Sequence, residues 1–177
     1  KTEVPNSAAT DTMEQAKQLQ QYFFAAARSG EVEVLQYFVA AGYPVNEANP
    51  QSYTALMVAA YSGQAEAVQL LLDAGADACV RDKRGHTALM GAMIKAEWAI
   101  ARTLHAVDCD ADNPAQASDV VVDKTQMTAA QFAQIFGQSD KFNALLRPTA
   151  SVQPAKSATK TQTGTATAAP VEPNQPR

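Results

Sequence analysis

No stretch of this 177-residue chain approaches the roughly 18 consecutive apolar residues that a membrane-spanning helix needs, so no membrane insertion is expected. Cysteine is scarce. Cys79 and Cys109 are too few for a disulfide scaffold, and with His86 and His105 they lack the spacing of a zinc site. No glycine-rich phosphate loop occurs, and no serine or cysteine sits in an activating pattern. The chain therefore offers no catalytic residues, and no cofactor or metal is expected. Positive charge is short as well: 14 Lys and Arg face 18 Asp and Glu, a formal net charge of −4. The segment from Pro148 carries Lys156, Lys160 and Arg177 against Glu172, or +2, which leaves −6 for the rest. Nucleic acid is then a poor partner, because its binding rests on neutralising phosphates. No secretory signal is seen, yet the first residue is Lys1 rather than Met. A mature form with its export signal removed belongs in a periplasm; a trimmed piece leaves the cytoplasm open.

What the chain does have is alanine, 36 residues of it, which suits tightly packed short helices. Residues 54–77 show the pattern most clearly. Leu56, Ala59 and Ala60 form one apolar face and Gly63 ends it; Val68, Leu71 and Leu72 form a second and Gly75 ends that. Two helices of this length do not stand alone in water and must bury their faces against neighbours. Upstream, residues 1–10 lack periodicity and read as a flexible lead-in. A helix capped by Asp11 or Thr12 then runs to Gly30, with Phe24, Ala26 and Ala27 in register with the apolar positions of 54–77.

The register is a repeat. Gly30 and Gly63 are 33 residues apart, as are Gly42 and Gly75, and Thr54 and Thr87, each threonine followed by Ala-Leu-Met. Self-similarity at this period marks stacked helix–turn–helix units. The stretch TALMVAAYSGQAEAVQLLLDAGAD closely resembles the ankyrin repeat, whose pattern runs T-P-L-H-x-A-A, then Gly, then a second helix ending in L-L-x-x-G-A-D. Ala55 and Ala88 stand where that pattern has proline, and Met57 and Met90 where it has histidine. The resemblance implies an all-α ankyrin-repeat solenoid of about four helix-turn-helix units with short hairpin-like turns and disordered ends. Its domain covers 11–147: repeats at about 16–48, 49–81 and 82–122, and a cap at 127–147. Thr87 and Thr128 are 41 apart, so the third turn holds eight extra residues. Such insertions fall in loops on one face, often the binding face. From 148 on, the sequence turns rich in Thr, Ala and Pro and reads as a disordered tail.

Partners of this family are usually gripped by the turn tips and the exposed ends of the first helices. Carried onto this chain, that face holds Tyr53, Tyr61, Arg81, Lys83, Arg84 and His86. Ile94 and Lys95 follow in the third repeat and Ile135 and Phe136 in the cap, with Arg28, Ser29, Ala48, Pro50, Gln51 and Ser62 on the same surface. Tyrosine and arginine are the usual anchors of interfaces. The second turn is basic; the third is acidic, through Asp110, Asp112, Asp119 and Asp123. Without a glycine at the bend and a glutamate twelfth, these aspartates read as a solvated loop rather than a calcium site.

His105 takes the place of Leu72 and is expected to be partly buried; Trp98 takes the place of Ala65 and is expected to pack on the neighbouring repeat. Repeats stack about 10 Å apart, and a disulfide needs Cα atoms within about 7 Å. Free thiols are therefore the expected state of Cys79 and Cys109, although their different places in the period leave a bridge open. These features point to a non-enzymatic module that binds a single protein partner and is monomeric alone. The leading reading is an immunity protein that blocks a secreted toxic effector. Its acidic third turn, 111–122, would reach into a basic cleft of that effector. The alternatives are an accessory protein supporting a periplasmic enzyme such as a catalase, and a general scaffold.

Overall fold

The computed structural model describes residues 7–110 and 124–147. The inserted turn at 111–122 and the tail from 148 lie outside them. Among the described residues the architecture is eight helices with no strand: α1 (Ser7–Ser29), α2 (Val32–Ala40), α3 (Ala55–Tyr61), α4 (Ala65–Asp73), α5 (Ala88–Ile94), α6 (Trp98–His105), α7 (Ala129–Ile135) and α8 (Ser139–Leu146). They form four pairs. The first helices stack in one row, α1 on α3 on α5 on α7, and the second helices in another, α2 on α4 on α6 on α8. The chain is thus the helical solenoid that the repeat spacing predicts.

Each regular unit begins with a threonine that caps its first helix. The Thr54 hydroxyl accepts from Met57 N at 3.3 Å, and Thr87 does the same for Met90 N at 3.5 Å. Thr128 accepts from Gln131 N at 3.1 Å while the Gln131 side chain returns a bond to Thr128 N, a complete capping box. All three threonines are buried. The cap therefore satisfies backbone donors that water cannot reach, an arrangement worth about 1 kcal/mol per helix. The exits are left-handed: Gly63 has φ +75, and the same place in the third repeat is held by Ala96 at φ +58.

Alanine sets the spacing between layers. Ala55, Ala59, Ala60, Ala88, Ala92, Ala129 and Ala133 are all buried, so the first helices approach closely. Bulk is placed at the two ends. Phe23 packs against Phe24, Phe38 and Tyr43 in the first pair, and Phe132 and Phe142 fill the last. Trp98 packs against the core beneath the Lys141 ammonium, and the half-buried His105 meets Phe142 edge-on at 5.5 Å, both as expected.

Two expectations need correction. α1 starts at Ser7, ahead of the start read at Asp11 or Thr12. In the preceding residues, Ser-Ala-Ala-Thr, the alanines are strong helix formers and there is no breaker, so the helix extends through them, residues 9–19 being exposed. The second correction concerns the thiols. Cys79 and Cys109 form a disulfide, with Cα atoms 5.1 Å apart. The spacing of about 10 Å holds between equivalent positions. Cys109 falls three residues short of one period beyond Cys79, and three residues of extended chain, at about 3.3 Å each, cover that gap.

Polar side chains also stitch one repeat to the next. Asn46 accepts from Asp77 N at 2.7 Å, Gln64 donates to Arg28 O at 3.1 Å, and Gln138 donates to Met93 O at 2.9 Å.

Candidate functional site: a cleft on the concave face

The period places Arg28, Tyr61, Ile94 and Ile135 at one equivalent position, the last turn of the first helix in each unit. Ser29, Ser62, Lys95 and Phe136 occupy the next one. Stacking of the first helices therefore sets these side chains in a row. Tyr61, Ile94, Ile135 and Phe136 are between 42% and 57% exposed, an uncommon series of large apolar groups left on one face. Phe136 is held in place by stacking on the buried Phe132 at 4.3 Å. The Lys95 ammonium lies 5.1 Å from the Tyr61 ring centroid, a cation–π contact that fixes the ring.

Between this row and the turn tips lies a cleft of about 450 Å³. Its walls gather Tyr53, Tyr61, Arg84, His86 and Ile94 from the sequence reading, together with Arg28 and Ser62 from the wider face. Met57, Val58, Asp82 and Thr87 complete the lining. Nothing in the sequence marks these four as lining: Met57 and Val58 continue the apolar pattern of a core helix, Thr87 stands out only through the period of 33, and Asp82 carries no pattern of its own.

Asp82 shapes the rim. Its Oδ1 accepts from Arg84 N at 2.8 Å and His86 N at 2.9 Å, which closes the turn from 82 to 86. The same carboxylate lies 3.9 Å from His86 Nδ1 and is only 6% exposed. His86 is further braced by an edge-on contact with Phe132 at 5.3 Å. Gly85 sits in this turn at φ +82, where a Cβ would run into the Thr125 backbone.

The remaining residues of the predicted face fall elsewhere. Arg81 turns inward: its guanidinium donates to Gly85 O at 2.7 Å and Met127 O at 2.8 Å, and pairs with Asp110 at 3.6 Å. Asp110 in turn accepts from Ala129 N at 2.9 Å, at the start of α7. The structure thus commits both residues to joining the third repeat to the cap, and Asp110 is no solvated loop residue. Lys83 is tied to the previous turn, its N donating to the Ser52 hydroxyl at 2.9 Å and its Nζ to Pro50 O at 3.4 Å. Ile135 and Phe136 lie further along the row, outside the cleft lining. Asp112, Asp119 and Asp123 lie outside the described residues.

The cleft thus sets aromatic and aliphatic walls beside two exposed arginines, Arg28 and Arg84. Among the described residues no group of acidic, histidine or cysteine side chains could hold a metal ion. No helix among them is long and apolar enough to cross a membrane. No curated protein matches the chain. A family model described as ankyrin repeats (3 copies) matches residues 22–115. With its paired helices, threonine caps and period of 33, the chain belongs to the ankyrin-repeat family.

Proposed function

We propose that this ankyrin domain is an immunity protein: a non-enzymatic module that binds one secreted toxic effector across its concave face and turn tips, acts in a periplasm, and is monomeric until it binds. The ankyrin fold makes it a protein–protein interaction module. The observation that carries the specific reading is the exposed apolar row from Tyr61 to Phe136 beside the cleft. Four stacked first helices at about 10 Å spacing give a face about 30 Å long, which matches one side of a standard interface of about 800 Å². The Cys79–Cys109 bridge fits an oxidising compartment such as the periplasm.

The test has two stages. A partner captured from a periplasmic extract is identified and its stoichiometry measured. The Tyr61→Asp, Ile94→Asp double variant, checked to melt like the parent, should lose that partner by at least about a hundredfold, the scale of two interface anchors. The partner's own activity is then assayed with the ankyrin protein added. Suppression supports the immunity reading. Enhancement transfers the protein to the accessory class, beside an enzyme such as a catalase, and many weak partners transfer it to the scaffolds.

A further inference from the structure

The cleft differs in charge from the domain that carries it. Arg28 lies in the last turn of α1 and Arg84 in the turn before α5, and both are exposed and line the cleft. Among the described residues neither guanidinium meets a carboxylate; the ion pair formed there is Arg81 with Asp110, and Asp82 lies 3.9 Å from His86 Nδ1. Asp82 offsets only part of this charge, one carboxylate against two guanidiniums, and it faces the turn itself: its Oδ1 accepts from Arg84 N and His86 N, and its side chain is nearly buried. The result is a local excess of positive charge on a chain whose formal net charge is −4. Below the rim the walls are Tyr53, Met57, Val58, Tyr61 and Ile94, aromatic and aliphatic.

We infer that the cleft takes a segment of the partner protein in which a carboxylate side chain adjoins a large apolar one, the carboxylate held by Arg28 and Arg84 and the apolar group seated against Tyr61 and Ile94. This rests on the interaction reading above and names the chemistry that its partner must present. Guanidinium groups favour carboxylates through paired, charge-assisted hydrogen bonds. The apolar walls argue against a nucleic acid, which would need a run of cations along its phosphates. The charge contrast also orients the encounter, since an acidic segment is repelled by the rest of the domain and attracted here.

The test uses the whole chain and defined probes. Two blocked peptides, Ac-Ser-Leu-Glu-Phe-Ser-NH2 and its Gln counterpart, are titrated against isotope-labelled protein and followed by NMR. The Glu peptide should move the signals of Ile94, Tyr61 and the 84–86 turn in the millimolar range. The Gln peptide should bind about tenfold more weakly, the scale of a hydrogen bond to a charged group. The Arg28→Gln, Arg84→Gln variant should erase the difference between the two peptides while leaving the melting temperature unchanged. Equal affinity for both peptides, or shifts centred outside the cleft, overturns the inference. So does displacement of the Glu peptide by inorganic phosphate at matching concentration, which would mark a general anion site, or tighter binding of a single-stranded oligonucleotide. Partner capture separates this inference from the reading beneath it. If the arginine variant holds the partner as well as the parent while the Tyr61 and Ile94 variant loses it, the carboxylate assignment fails and the interaction face stands. If both variants hold it, the face itself fails.

Discussion

Removing the Cys79–Cys109 bridge gives the sharpest check on the stack. The bridge closes a loop of 30 residues, from the end of the second repeat to the end of the third. Cross-linking a loop of that length removes about 12 cal/mol/K of entropy from the unfolded chain, or about 3.6 kcal/mol at room temperature. At about 3 °C per kcal/mol for a chain of this size, the Cys79→Ala, Cys109→Ala variant should melt roughly 10 °C below the oxidised parent. The loss should also be local. Cys109 adjoins Asp110, which holds both Arg81 and the first turn of α7. In a linear stack each unit is stabilised mainly by its neighbours, so the cap and third repeat should loosen first. Circular dichroism gives the melt, and hydrogen exchange resolved along the chain gives its order. The reduced parent controls for packing, because it lacks the cross-link but keeps both side chains; it should melt with the alanine variant. Melts of the oxidised and reduced parent agreeing within about 2 °C would refute the reasoning. Two reactive thiols in the denatured, unreduced protein would refute the bridge itself.

Two further outcomes follow from single residues. Ala96 holds a left-handed exit, φ +58, at the place where the second repeat has Gly63. A Cβ in that conformation costs about 1–2 kcal/mol, whereas glycine loses about 0.5–1 kcal/mol more chain entropy on folding. Ala96→Gly should therefore stabilise by about 0.5 kcal/mol, read as a higher urea midpoint at unchanged slope; a lower midpoint sinks the argument. The Tyr43 hydroxyl is pushed up to about 12, chiefly by burial and then by the charge of Glu47 and the hydrogen bond to it. The folded state keeps this proton longer than the unfolded chain, whose tyrosines ionise near about 10. The resulting stability is complete below about pH 10 and is lost as the pH rises through about 12. Tyr43→Phe should flatten alkaline unfolding in that window and remove one ionisation near pH 12 from the absorbance titration; an unchanged titration excludes the assignment.

Much of the fold is legible from neighbouring residues because helix formation is governed locally. Apolar spacing in 54–77 marks two helices, Gly63 and Gly75 mark their ends, and the recurrence of Thr54 at Thr87 marks the start of the next unit. The site is only partly legible. Tyr61, Ile94 and Ile135 can be found because a shared place in the period means a shared place on the surface. Met57 and Val58 cannot, since a side chain at the edge of a cleft follows the same pattern as one in the core. Arg81 and Asp110 look like solvent-facing charges, and no feature of their local sequence shows that they meet.

The sequence by itself determined the unit, its period and the row of equivalent positions, all consequences of short-range pattern repeated along the chain. Only the tertiary structure decided that Cys79 reaches Cys109, that Arg81 is drawn inside, and that Arg28 and Arg84 converge on one apolar cleft. Those outcomes depend on how far an irregular stretch carries the chain back across a stack, a distance set by packing between repeats and not by the residues on either side.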